Sequence, residues 1–168
     1  MSQKTLTVIL IAGSIIVLDQ VSKEMVVRTL PLHESVSVVP AFFHLTHLRN
    51  TGAAFSLLAH APTWFRQPFF LIATGVAVLA LLLFLRQADS ARRLVVVAIA
   101  AILGGALGNL IDRLRYGEVV DFLLVHWHGY YWPAFNVADS CITLGVVGLL
   151  WSSLREQRAS SERARSAS

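Results

Sequence analysis

The chain carries one cysteine, Cys141, in 168 residues. One thiol excludes an intramolecular disulfide and any multi-cysteine metal site. It lies in an apolar run and reads as a small buried apolar residue. Charge is scarce too. Asp, Glu, Lys and Arg make up 14% of the chain against 55% hydrophobic residues, where a soluble domain carries about 25% charged residues. That shortage excludes an ordinary soluble domain and leaves a membrane protein. A small-residue cleavage site is missing after the first apolar run. The polar stretch 19–23 stands in its place, so this run reads as an uncleaved first span. No internal repeat is visible. His126-Trp127-His128 and His44-x-x-His47 lack a third metal ligand of suitable spacing, and read as solvated or interfacial histidines.

What is present is long hydrophobic runs. Four stretches, at about 5–27, 67–85, 94–111 and 135–154, have the length a helix needs to cross the hydrocarbon core. In lipid the backbone must satisfy its own hydrogen bonds, which makes helices of such continuous runs. Residues 1–155 then form one integral-membrane domain, and the polar, Ser/Arg-rich stretch 156–168 reads as a disordered tail. Four crossings put both termini on one side. Eight of the 14 Lys and Arg residues fall with the termini and the 86–93 loop, concentrated in short segments; six are spread over the longer connections. The positive-inside rule places both termini in the cytoplasm. The formal charge of +4 comes largely from the tail and that short loop, a pattern for anionic lipid headgroups and not for nucleic acid.

The two outer connections differ. Ser35-Val36-Ser37-Val38-Val39-Pro40 and Phe43-His44-Leu45-Thr46-His47-Leu48 alternate polar and apolar residues with period two, which predicts a small β-hairpin or curved sheet on the membrane. The 113–134 connection holds a short apolar run around Asp121 and the aromatics Trp127, Tyr130, Tyr131 and Trp132, a residue type favoured at headgroup level.

Polar residues converge on one depth. Asp19 lies about 21 Å along its span at 1.5 Å per residue, and Asn109 and Asp112 lie about 23–27 Å along the third. Asp139 is about one turn inside the outer end of the fourth. Asp19, Lys23, Asn109, Asp112, Arg113, Asp121, Asn136 and Asp139 therefore gather near the outer boundary. A carboxylate near hydrocarbon costs roughly 2.5–3.5 kcal/mol, so Asp121 and Asp139, both in apolar surroundings, are functional candidates. Asp19 and Lys23, at i,i+4, can pair as a helix-stabilising ion pair or serve the site. Gly104-Gly105-Ala106-Leu107-Gly108 offers a small surface for a neighbouring helix. Asn109 and Asp112 share a face and can hydrogen-bond a neighbouring loop. Asn136 and Asp139, three apart, would share a helix face.

Five motifs occur in a telling order: Asp19-x-x-Ser22-Lys23, Asn50-Thr51-Gly52-Ala53-Ala54-Phe55, Gly104-Gly105-Ala106-Leu107-Gly108-Asn109-Leu110-Ile111-Asp112-Arg113, Val119-Val120-Asp121-Phe122 and Phe135-Asn136-x-Ala138-Asp139-Ser140. Over residues 10–152 the chain resembles bacterial lipoprotein signal peptidase, the type II signal peptidase. The resemblance implies an all-α inner-membrane protein with four transmembrane helices and a small periplasmic β-cradle, here about 33–60. It implies an aspartyl endopeptidase that cleaves a prolipoprotein just before its diacylglyceryl-modified cysteine. By the same match Asp121 and Asp139 are the catalytic pair, and Asp19, Lys23, Asn50, Gly104, Asn109, Asp112, Arg113, Asn136 and Ala138 line or brace the site. Prolipoproteins, membrane lipids and globomycin-type inhibitors are the implied partners of a monomer, with no metal or organic cofactor.

The chemistry suits such a pair. Two carboxyls sharing a site do not both ionise cheaply, so one stays protonated. The ionised one takes a proton from water as it attacks the carbonyl. The protonated one polarises that carbonyl's oxygen and helps protonate the leaving amine. The Gly-x-Gly-Asp motif of presenilin-type proteases is absent. A transporter would need a polar route to both faces, and the cytoplasmic half of every span lacks one.

Overall fold

A computed structural model describes residues 2–52, 58, 61–89 and 92–166, with side chains to 162. Ala53, Ala54 and Phe55 of the second motif, and most of the expected cradle beyond residue 52, lie outside the described residues. Four helices carry the apolar runs: α1 (Gln3–Thr29), α2 (Thr63–Gln87), α3 (Arg93–Tyr116) and α4 (Val137–Ser166). All four are long and apolar enough to cross a membrane. This is a multi-pass membrane protein, and its outward surface shows it. Leu10, Ile72 and Leu144 are each more than half exposed, as befits side chains whose solvent is lipid.

The helices overrun the expected spans because polar flanking residues join them. α1 begins at a cap, where Ser2 Oγ accepts from the Thr5 N–H at 3.1 Å. α3 continues to Tyr116 and stops at Gly117, whose φ of 75° suits a left-handed helix C-cap. α4 starts at Val137, two residues later than expected. It runs on to Ser166, so the stretch expected as a disordered tail is helical as far as it is described. The helix formers Glu156, Gln157, Arg158 and Ala159 propagate the last turn of the span. The hydroxyls of Ser160 and Ser161 bond back to the carbonyls of Glu156 and Gln157 at 2.9 Å each.

α3 is the central helix, in contact with α1, α2 and α4. Its glycines set the spacing. A Cβ on Gly104 would meet Ile15 Cβ at 2.9 Å and Ala12 Cα at 3.0 Å on α1, and one on Gly105 would collide with the Ala138 carbonyl oxygen on α4. Close helix approach was the expectation for this run, and it holds on two sides at once. α2 buries only Phe70 among its described residues. Its C-terminal carbonyls at Leu85 and Ala88 are held by Lys4 Nζ at 2.8 and 2.9 Å, and Arg92 pairs with Glu156 at 2.8 Å. These contacts tie one end of the bundle.

At the other end lies an antiparallel sheet ordered β1-β2-β3-β4. The hairpin of β1 (Ser35–Val39) and β2 (Phe43–Asn50) matches the alternating pattern. β3 (Val119–Trp127) and β4 (Tyr130–Tyr131) were not expected as strands. Residues 119–122 are buried on both faces, so they read as a continuous apolar run without alternation. A register shift in β2 between Leu45 and Leu48 precedes the pairing of Leu48 with Asp121. Further along, Leu123 exchanges hydrogen bonds with Phe135, N–H to carbonyl, at 2.8 and 3.0 Å. That bridge brings the strand carrying Asp121 beside the start of α4.

Candidate active site

Asp121 therefore stands on a strand, not at the end of a helix, and Asp139 on the first turn of α4. Asn136 comes just before that helix, so the expected shared helix face is replaced by a cap. Its Oδ1 accepts from the Asp139 N–H at 2.9 Å, while Asp139 Oδ2 accepts from the Asn136 N–H at 3.2 Å. This is the reciprocal capping-box arrangement, with an aspartate in the returning position. Asn136 is 0% exposed. Its Nδ2 donates to Asp121 Oδ1 at 2.8 Å, with the Val120 carbonyl and Asn109 Oδ1 each at 3.2 Å. One residue thus touches both carboxylates.

Two further amides complete the ring. Asn50 Nδ2 donates to Asp121 Oδ2 at 2.9 Å, and Asn109 Nδ2 donates to Asp139 Oδ1 at 2.8 Å. Burial, helped by the nearby Asp139 charge, pushes the Asp121 carboxyl up to about 7, against the pull of its two amide donors and of Lys23. Desolvation penalises the charged form, and a second carboxylate adds repulsion.

Beneath the ring lies a buried ionic layer. Lys23 Nζ sits 2.8 Å from Asp19 Oδ2, 2.9 Å from Asp112 Oδ2 and 2.9 Å from Asn109 Oδ1. The choice left open by the i,i+4 spacing closes: Asp19 and Lys23 do pair, and the pair reaches across to α3. Asp19 Oδ1 also accepts from the Ala138 N–H at 2.9 Å, capping α4 from α1. Asp112 Oδ2 accepts from the Val120 N–H at 3.0 Å, which is the loop contact expected of it. A Cβ on Gly108 would fall 2.6 Å from Asp19 Oδ2, so this position must be glycine for the layer to close.

Arg113 stands apart from the carboxylates in its contacts. Its Nη2 donates to the Gly52 carbonyl at 3.3 Å, and its guanidinium lies 4.8 Å from the centre of the Phe70 ring. Gly104 packs against α1 and touches neither aspartate.

Gln20 was missed. Its Nε2 donates to Asp112 Oδ1 at 2.9 Å and to Asp19 Oδ2 and the Gly108 carbonyl at 3.2 Å each. An amide inside a membrane-length run was the available signal.

The histidines pair otherwise than by sequence spacing. His126 Nε2 lies 3.2 Å from His44 Nδ1 across the sheet, and buried His47 meets the Leu30 carbonyl at 2.8 Å. His47 is thus neither solvated nor interfacial, because the strand turns it inward. Cys141 is half-buried. Among the described residues no cluster of three or more metal-ligating side chains is present.

The sequence model of the signal peptidase (SPase) II family matches residues 11–155. The chain is 53% identical over 148 residues to the lipoprotein signal peptidase of Syntrophotalea carbinolica, covering 88% of this chain and 91% of that one. It is 47% identical over 147 residues to that of Geobacter metallireducens, covering 88% and 90%. A solved bacterial membrane enzyme superposes with a TM-score of 0.82 at 38% identity, over 90% of this chain and 89% of the other. A second such structure gives 0.80 at 37% identity, over 88% and 92%. With four apolar helices, a small antiparallel sheet and these relatives, the chain belongs to the signal peptidase II family, proteases that remove signal peptides from prolipoproteins during lipoprotein maturation.

Proposed function

We propose that this protease is of the aspartyl type and that Asp121 and Asp139 are its catalytic pair. The observation that carries the reading is the shared contact of Asn136 with both carboxylates. A buried amide bridging two acidic groups holds them at one place, and a neutral site would have no need of it. The substrate is a prolipoprotein, cut at the peptide bond just before its diacylglyceryl-modified cysteine. One carboxylate activates the attacking water and the other polarises the scissile carbonyl. Asn50, Asn109 and Asn136 orient the pair; Lys23, held by Asp19 and Asp112, braces Asn109; Asp19 and Asp112 also hold the backbone at Ala138 and Val120; Gly104 and Ala138 fit the helices together; Arg113 holds the 50–52 turn.

The enzyme works as a monomer in the bacterial inner membrane without metal or organic cofactor. Both termini lie in the cytoplasm, and the β-cradle and the active site face the periplasm. The density of Lys and Arg near the termini supports that orientation. Globomycin-type peptides are its expected inhibitors.

The test is turnover of a diacylglyceryl-modified prolipoprotein by purified protein in detergent, with and without globomycin. Asp121→Asn and Asp139→Asn should each give folded, membrane-inserted protein with no detectable cleavage. Near-normal turnover in either variant would sink the aspartyl mechanism.

A further inference from the structure

Three amide side chains touch the catalytic pair, and each has its orientation set by a neighbour whose polarity is not open to choice. Asn50 Oδ1 accepts from the Gly52 N–H at 2.9 Å, so Nδ2 is the end that faces Asp121. Asn136 Oδ1 accepts from the Asp139 N–H at 2.9 Å, so its Nδ2 also faces Asp121. Asn109 Oδ1 accepts from the Lys23 ammonium at 2.9 Å, so its Nδ2 faces Asp139. Among the described residues each of the four carboxylate oxygens meets one N–H, which leaves lone pairs for water and substrate.

What stands behind those donors differs. Asp139 occupies the first turn of α4, where the helix dipole favours negative charge. One of its donors is a backbone N–H, and the other is an amide polarised by an ammonium. Asp121 lies on β3, and a strand supplies little net dipole. Both its donors are side-chain amides backed only by neutral backbone N–H groups.

The surrounding charges do not reverse this. From α1 come Lys23 and Asp19, and from α3 Asp112 and Arg113. Lys23 is ion-paired to Asp19 and Asp112; its charge is felt at Asp121 as well, but its hydrogen-bonded path, through Asn109, leads to Asp139. β2 offers the site only the Asn50 amide. Its Arg49 lies over Tyr116 at 4.4 Å, and His47 turns to the Leu30 carbonyl.

We infer that Asp139 carries the negative charge at rest and is the base toward water, while Asp121 holds the proton and is the acid toward the scissile carbonyl oxygen. This rests on the aspartyl reading above. In the first step Asp139 takes a proton from water as the water oxygen bonds to the carbonyl carbon. The carbonyl π pair moves to oxygen, which takes the Asp121 proton and gives a gem-diol. Then the C–N bond breaks. The departing nitrogen keeps that electron pair and takes the proton from Asp139, and Asp121 recovers a proton from one diol hydroxyl as the carbonyl re-forms. The products are a carboxylic acid and an amine, and the pair is back in its resting state.

The experiment is the pH profile of kcat/KM for the full-length enzyme on a diacylglyceryl-modified prolipoprotein. The acid limb reports the base and the alkaline limb the acid. A donor to a carboxylate favours its charged form, so removing one raises the pKa. Asn50→Ala should move the alkaline limb up by about one pH unit and leave the acid limb in place. Asn109→Ala should move the acid limb up by a similar amount. Asn109 is buried and its variant is checked for folding by globomycin binding; Asn50 is half-buried, and its variant decides alone if Asn109→Ala does not fold. Movement of the acid limb in Asn50→Ala, or of neither limb, overturns the assignment. Failure of the aspartyl reading looks different, since Asp121→Asn or Asp139→Asn would then keep turning over.

Discussion

The Ala138 N–H donates to Asp19 Oδ1 at 2.9 Å, a bond between positions 119 residues apart. The first turn of the helix that carries Asp139 is therefore capped from α1. Asp19→Ala removes this cap and also one of the two carboxylates that neutralise Lys23. Breaking a buried pair costs about 3–5 kcal/mol. The expected outcome is a clear fall in melting temperature in detergent, with reduced turnover; Asp19→Asn, which keeps the Oδ1 acceptor, should fall between this variant and the parent. An unchanged melting temperature in Asp19→Ala would show that the bond contributes nothing.

Stability should respond to pH through Asp121. Its carboxyl ionises near 7 in the folded protein against 3.8 in an unfolded chain. Between those values the folded state holds more protons, so this group's contribution to stability falls as pH rises toward 7 and is flat above it. Asp121→Asn removes that dependence. It also turns an amide NH2 toward the Nδ2 of Asn50 or Asn136, leaving a donor facing a donor at about 1–3 kcal/mol. The Asn variant should thus melt below the parent at pH 5, with the gap narrowing toward pH 8. Melting curves of both proteins across that range check it, and a widening gap would contradict it.

The glycines of α3 give a steric test. Gly105→Ala would drive a methyl into the Ala138 carbonyl, and Gly108→Ala would put one 2.6 Å from Asp19 Oδ2. Overpacking of this kind costs about 1–3 kcal/mol, and here it also displaces the turn that bears Asp139. Both variants should lose stability and turnover together. Gly13→Ala and Gly75→Ala, with nothing within 4 Å, should be neutral or gain about 0.5–1 kcal/mol from helix propensity.

Orientation is tested with reporters. A fusion after Arg155 or within the 86–93 loop should read cytoplasmic, and one near Ser56 periplasmic. The reverse pattern would place the site on the wrong face for exported prolipoproteins.

The four spans, the hairpin of residues 35–50 and the common depth of the polar residues were legible because each follows from length, alternation or helical rise. Asn136, three residues before Asp139 and ahead of an apolar run, has a spacing that fits a cap as well as a shared helix face, and only the helix start at Val137 separates the two. β3 was not legible, since a strand buried on both faces shows no alternation around Asp121. Gln20 finds its meaning in Asp112, 92 positions away, and no local pattern announces such a partner. The helical tail is a matter of propagation from a span already formed.

Among the described residues, the groups bonded directly to the carboxylates of Asp121 and Asp139 are three asparagine amides and one backbone N–H. None of these gains or loses a proton in the range where carboxylates do. The mounting of the two aspartates is thereby insulated from their own titration. A change in the charge of the reactive pair therefore leaves these four donors chemically unaltered, so activity lost at moderately acid pH should return when neutrality is restored.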